Sequence, residues 1–164
     1  MKKRILITGA SGFVGSHLVE AAQAAQLEVH AAVRKSSDIE AIRGFVDQFV
    51  YPDYTDVESL KSLINQGQYT YIIHAAALTK AKDPADLHRV NVDFTLNLLT
   101  AAFAAELPPE RFVFVSSLAA IGPIGIAQGL IQENSPYRPV TAYGRSKQAA
   151  EEMIKARFAD NPIS

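Results

Sequence analysis

The chain has 164 residues, 48% of them apolar and 20% charged, a formal net charge of −1 at pH 7 and no cysteine. That length builds one domain with a real core, and the composition excludes disordered and fibrous classes. Near-zero charge gives no basic field for a nucleic-acid backbone, and the absence of cysteine excludes disulfides, a thiolate nucleophile and a Cys-held metal.

At the start, Lys2-Lys3-Arg4 before Ile5-Leu6-Ile7 imitates a secretory signal, but Thr8-Gly9 ends the apolar run too soon. No stretch is long enough to span a bilayer, so a cytoplasmic protein with neither membrane nor nucleic-acid partner is expected. The run Ile5-Leu6-Ile7, the turn Thr8-Gly9-Ala10-Ser11-Gly12-Phe13-Val14-Gly15 and the Ala-rich segment from His17 to Ala22 read as strand, tight turn and helix. Such a turn is either a plain connection or a phosphate cradle, in which glycines let the backbone approach a diphosphate and free amides at the helix start donate to it.

Glu28 to Val33 predicts a second strand ending in the basic loop Arg34-Lys35-Ser36-Ser37, and Ser37-Asp38 a cap for a short helix through about Arg43. Gln48 to Tyr51 predicts a third strand. Thr55-Asp56 then caps a helix carrying Val57, Leu60, Leu63 and Ile64 at helical spacing, which Gly67 ends. Tyr69 to Ala75 predicts a fourth strand. A loop with Pro84 leads to a long helix from about Asp86 to Glu106, with Leu87, Val90, Phe94, Leu98, Ala101 and Ala102 as its buried stripe and Pro108-Pro109 closing it. Arg111 to Val115 predicts a fifth strand, Leu118 to Pro139 a long functional loop, and Thr141 to Phe158 a last helix. Strands alternating with helices build a doubly wound, three-layer α/β domain around a parallel sheet, in the expected strand order 3-2-1-4-5.

Two further patterns carry chemistry. Tyr143 and Lys147 lie four residues apart, on one face of the last helix. They make either an ordinary solvated face or a phenol whose titration, near ~10 unperturbed, a neighbouring ammonium draws toward working pH. Ser116-Ser117 ends the fifth strand, at the carboxyl edge where open α/β sheets bind ligands. It either starts a turn or supplies a hydroxyl for a carbonyl oxygen.

TGxxGxxG at Thr8–Gly15, with Ser117, Tyr143 and Lys147, resembles the extended branch of the short-chain dehydrogenase/reductase superfamily, which holds nucleotide-sugar epimerases and reductases. The resemblance implies a Rossmann domain that binds NAD(P) through Gly9, Ser11, Gly12, Phe13, Val14 and Gly15. It gives Ser117 the role of polarising substrate, Tyr143 that of acid/base, and Lys147 that of its partner, with donors left for the nicotinamide ribose. Further matches nearly span the chain. Asp53 stands where the family has an adenine-binding Asp, and is otherwise a turn or cap residue. His74-Ala75-Ala76-Ala77 resembles the H-x-A-A segment that runs along the cofactor, with His74 itself structural. Asn91 lies in a segment similar to the family's N-V-x-G-T-x-N-L-L helix, with Phe94 in place of the Gly, and is as readily structural as cofactor-binding.

The resemblance implies an NAD(P)-dependent oxidoreductase or epimerase acting on a hydroxyl or carbonyl of a nucleotide-sugar or related small molecule. Leu118-Ala119 replace the Asp-Glu pair of the family's 4,6-dehydratases, which argues against a dehydratase. A non-catalytic NAD(P)-sensing regulator is the alternative, although such proteins typically lose the Tyr-Lys pair. Arg34, Lys35 and Ser36 at the end of the second strand suit a 2′-phosphate and so NADP over NAD. No metal is expected. Leu96, Leu99 and Phe103 outside the core stripe permit a homodimer. The chain ends after the Tyr-Lys helix, where the family goes on to further strands and a substrate-binding part, so a truncated and inactive fragment is expected.

Overall fold

The computed structural model describes residues 2–123 and 129–158. Five strands, β1 (Arg4–Thr8), β2 (Glu28–Ala32), β3 (Gln48–Val50), β4 (Tyr71–His74) and β5 (Arg111–Phe114), form one parallel sheet in the order β3-β2-β1-β4-β5. This is the expected Rossmann-like order, and the strands are the short apolar runs read from the sequence. The helices are α1 (Phe13–Ala24), α2 (Val57–Gly67), α3 (Pro84–His88), α4 (Phe94–Phe103), α5 (Leu118–Ile121) and α6 (Ala142–Phe158). Among the described residues, no helix is long and apolar enough to cross a membrane.

The described residues divide into two units, one of 2–76 and 97–115, the other of 77–96 and 116–158. The first holds the whole sheet. On one of its faces Leu6 and Ile72 pack with Leu60 and Ile64 of α2 and with Leu98, Ala101 and Ala102 of α4. On the other, Ile5, Ile7, Val29 and Ala31 pack with Val19 and Ala22 of α1. Each fully buried Leu or Ile here contributes about 1.5–3 kcal/mol, and strands buried on both faces need no polar alternation. In the second unit, α6 packs against α5, α3 and the turn that follows α3.

Several expectations are corrected. No helix follows Ser37-Asp38, where one turn at 40–42 and a single 3₁₀ turn (Arg43–Phe45) carry the chain instead. Asp56 caps α2 as expected, accepting the amides of Glu58 and Ser59 at 3.0 and 3.1 Å. Its left-handed end, however, is Gln68 (φ 47°) rather than Gly67. Gly67 is there for space, since a Cβ on it would lie 2.7 Å from the Tyr69 hydroxyl, within the ring.

Pro84 lies inside α3 at its first position, where its fixed φ suits a helix start, and Asp83 caps it. The long helix is interrupted at Arg89–Asp93 by a π turn, with Phe94 N–H donating to Arg89 O, and α4 stops at Phe103, short of Pro108-Pro109. The extra residue rotates the buried face: Asn91, Val92, Thr95 and Leu99 are buried, while Val90 and Phe94 are only partly covered. Leu99 is therefore core, not a spare apolar side chain for a dimer. The region from Leu118 opens with the helical turn α5; residues 124–128 of the expected loop, and the chain end on which the fragment reading rests, lie outside the described residues.

Candidate active-site residues

The glycine turn belongs to the first unit and is shaped by three different steric demands. Gly9 sits at φ +67°, and a Cβ there would stand 2.7 Å from Ala76 N and 2.8 Å from Ala75 O. Only glycine lets the end of β1 pass this close to the chain leaving β4. A Cβ on Gly15 would lie 2.7 Å from the carbonyl carbon of Gly9 and 2.8 Å from Ala10 Cα, so Gly15 lets α1 seat directly on the turn. Gly12 closes the turn by donating to Gly9 O at 2.9 Å, and as the N-cap of α1 it puts no side chain over the helix start. Ser11, Phe13 and Val14 are exposed around it, Phe13 being 82% accessible. Gly9 and Gly15 thus keep the turn tight against the chain leaving β4 and the start of α1, and Gly12 leaves the helix start uncovered, where free amides can meet an anion.

Thr8 is fully buried and holds the turn from beneath. Its Oγ1 shares a 2.7 Å hydrogen bond with His74 Nδ1 and accepts the Ala76 amide at 3.1 Å. Thr8 also meets the Tyr54 hydroxyl, and burial pushes the Tyr54 phenol up. His74 is 1% exposed among the rings of Tyr54, Phe112 and Phe114, which is the structural role expected of it. Ala75 and Ala76 leave β4 half-buried. At the end of β2, Arg34, Lys35 and Ser36 are exposed in a tight turn closed by Ser37, whose hydroxyl accepts the Arg34 amide and whose amide donates to Arg34 O. Asp53 is exposed, and its carboxylate accepts both the hydroxyl (2.6 Å) and the amide (2.9 Å) of Thr55, which hold it below the usual carboxylate range.

In the second unit, Ser117 follows β5 closely in the chain and is the N-cap of α5, its Oγ accepting the Ala119 amide at 3.2 Å. That leaves its proton available for donation. Gly144 lets α5 and α6 touch, because a Cβ on it would lie 3.0 Å from the Ala119 carbonyl carbon. The same close contact sets Ser117, at the start of α5, beside the helix that carries Tyr143 and Lys147. Tyr143 is half-buried, and Lys147, one turn on, is 1% exposed. Burial pulls the Lys147 ammonium down to about 8, against the opposing charge of Glu151.

Asn91, also buried, is committed to structure: its Nδ2 donates to Leu78 O and to Ser146 Oγ at 2.9 Å each, and its Oδ1 accepts the Leu78 amide at 2.8 Å. It thereby ties the segment just after Ala77, itself exposed, to α6.

Sequence reasoning missed two groups. In the sequence Thr8 stands only as the first letter of a motif. Glu151 was not singled out, although it stands eight residues after Tyr143 and four after Lys147, on the same helical face. Its carboxylate accepts hydrogen bonds from the hydroxyls of Ser116 and Tyr137, the latter at 2.5 Å, and Lys155 Nζ donates to Tyr137 Oη at 2.7 Å.

The profile of the NAD dependent epimerase/dehydratase family matches residues 5–163. The sterol demethylase protein B of Methylococcus capsulatus is 34% identical, over 91% of this chain and 45% of its own length. The UDP-glucose 4-epimerase of Rhizobium meliloti is 31% identical, over 92% of this chain and 46% of its own. Among solved structures, the Thermus thermophilus UDP-glucose 4-epimerase in complex with NAD superposes with a TM-score of 0.83 at 31% identity, covering 98% of this chain and 52% of that one. The chain thus spans about half the length of the relatives it matches.

Proposed function

Because the chain belongs to the NAD dependent epimerase/dehydratase family, we propose that it carries the cofactor-binding and proton-transfer residues of an enzyme acting on a hydroxyl or carbonyl of a nucleotide-sugar or related small molecule. The observation that carries this reading is Lys147. An ammonium taken almost wholly out of water is costly, and it stands one helical turn from Tyr143, where a positive charge favours the phenolate.

In this reading Gly9, Ser11, Gly12, Phe13, Val14 and Gly15 hold the diphosphate, Asp53 the adenine amino group, and Ala75, Ala76 and Ala77 give the cofactor room. Asn91 supports that last segment from behind, through its bonds to Leu78. Arg34, Lys35 and Ser36 take a 2′-phosphate, which makes NADP the preferred form. When bound, the nicotinamide supplies or accepts a hydride. Tyr143 takes the proton from a substrate hydroxyl, or returns it to a carbonyl oxygen, and the Lys147 ammonium stabilises the phenolate. The Ser117 hydroxyl donates to the same substrate oxygen as charge develops there. Leu118 and Ala119 offer no acid or base for a 4,6-elimination, which favours epimerisation or carbonyl reduction. Pairing of two copies through the long helix is part of the proposal, resting on Leu96 and Phe103, both half-buried.

The test is Tyr143→Phe in the active enzyme, with kcat and cofactor Kd measured together. The expected result is loss of turnover at nearly unchanged Kd, since the phenol moves a proton and does not hold the dinucleotide. A variant that keeps wild-type kcat removes Tyr143 from the mechanism. A wild-type protein that binds cofactor without turnover favours an NAD(P)-sensing regulator instead.

A further inference from the structure

We propose that Glu151 is a positioning residue of the Ser117–Tyr143–Lys147 set: a carboxylate clamped by the hydroxyls of Ser116 and Tyr137 that supplies the negative charge the Lys147 ammonium needs and ties the chain before Ser117 to α6. This rests on the roles proposed above.

The geometry lies wholly within the second unit. Glu151 is one helical turn beyond Lys147, a spacing that brings their Cβ atoms to roughly 5–6 Å. One carboxylate oxygen accepts from Ser116, the residue directly before the N-cap of α5, and the other accepts from Tyr137 at 2.5 Å. Lys155, a further turn on, donates to Tyr137 at 2.7 Å. Both oxygens are thus fixed by partners 35 and 14 residues away in sequence, and the carboxylate cannot swing into solvent without breaking two charge-assisted bonds.

The carboxylate acts on Lys147 against burial, by favouring its charged form. Among the described residues of the helical elements packed on α6, the other acidic groups are exposed and paired elsewhere. Asp86 of α3 is bonded to Arg89 at 2.8 Å, Asp93 faces His88 at 3.7 Å, and all four side chains are about half exposed or more. α5 has no titratable side chain. Without Glu151, burial acts on Lys147 unopposed by it, and the ammonium is lost at lower pH.

The test follows the side-chain carbon resonance of Lys147 against pH in lysine-labelled protein, assigned by its loss in Lys147→Met. In Glu151→Gln, which keeps the shape and removes the charge, the midpoint is expected to fall by about half a pH unit or more. Glu152→Gln, at an exposed carboxylate bonded to Gln148, is expected to leave it in place. A midpoint equal to wild type in Glu151→Gln overturns the proposal. Should that variant fail to fold, the wild-type curve decides: a second inflection of Lys147 in the acid range, as the neighbouring carboxylate titrates, supports the pairing, and a single-step curve overturns it. NAD and NADP titrations on the same samples read the dinucleotide reading separately, since a Lys147 shift without cofactor binding keeps the Glu151 arrangement and removes only that reading.

Discussion

His74 Nδ1 and Thr8 Oγ1 stand 2.7 Å apart at the paired ends of β4 and β1, so one buried hydrogen bond fixes the register from which the glycine turn departs. Thr8→Val keeps the shape and removes the hydroxyl, leaving the His74 nitrogen and the Ala76 amide without that partner. The expected loss is about 1–3 kcal/mol, read by chemical unfolding, with cofactor affinity falling in parallel. A variant as stable as wild type would show that the bond contributes nothing net.

Gly15→Ala pushes a methyl into the Gly9 peptide, which is backbone and cannot turn aside. It is expected to cost about 1–3 kcal/mol or more and to weaken dinucleotide binding by lifting α1 off the turn. Gly44→Ala is the control, because a Cβ there meets nothing within 4 Å. Equal effects at the two sites would dismiss the packing role of Gly15.

The buried Lys147 predicts a stability trend with pH. Its folded value, about 8, lies below the unfolded 10.5, so between these the unfolded chain binds more protons and this group makes stability rise with pH. Its cost is fully present below about 8 and gone above about 10.5. The contribution is on the order of 1 kcal/mol per pH unit across that window. Comparing unfolding free energies of wild type and Lys147→Met from pH 7 to 10 isolates it, and parallel curves for the two proteins would contradict it.

On the acid side the trend comes from β2. Burial lowers the His30 titration below 6.5, and the Arg4 guanidinium, bonded at 2.9 Å, lowers that of Glu28 below 4.5. Both contributions are present at neutral pH and are lost on acidification, His30 first as pH falls below 6.5. His30→Asn should flatten the pH 5–7 part of the stability curve, and an unchanged slope would remove His30 from it.

Arg34→Ala is expected to weaken NADP about tenfold, the loss of roughly one charge-assisted contact of about 1.4 kcal/mol, while leaving NAD nearly unchanged. Equal wild-type affinity for the two cofactors, or tighter NAD, would defeat the preference for NADP.

The strand order and all five strands were legible because each strand is a short apolar run bounded by turn residues. The glycine turn was legible as a strand-to-helix junction because its spaced glycines stand between an apolar run and an Ala-rich helical segment. What stayed hidden was tertiary. Gly67 looks like a helix stop until the Tyr69 ring is seen against it. α5 is one helical turn within a stretch whose glycines and prolines suggest a loop, and its close contact with α6 depends on Gly144. Tyr143 and Lys147 were found by spacing along one helix. The hydroxyls that hold Glu151 come from distant parts of the chain, and no local pattern announces them.

The π turn at Arg89–Asp93 amounts to one surplus residue inside a helix. In an alignment with a relative whose helix is unbroken, the compensating gap belongs inside the helix, not in either flanking loop. Misplacing it would shift the frame from Phe94 to Phe103 by one residue, a turn of about 100° around the axis. The buried places of Leu98 and Ala102 would then be credited to their neighbours, and homology-based reconstruction of this helix would turn its core side outward.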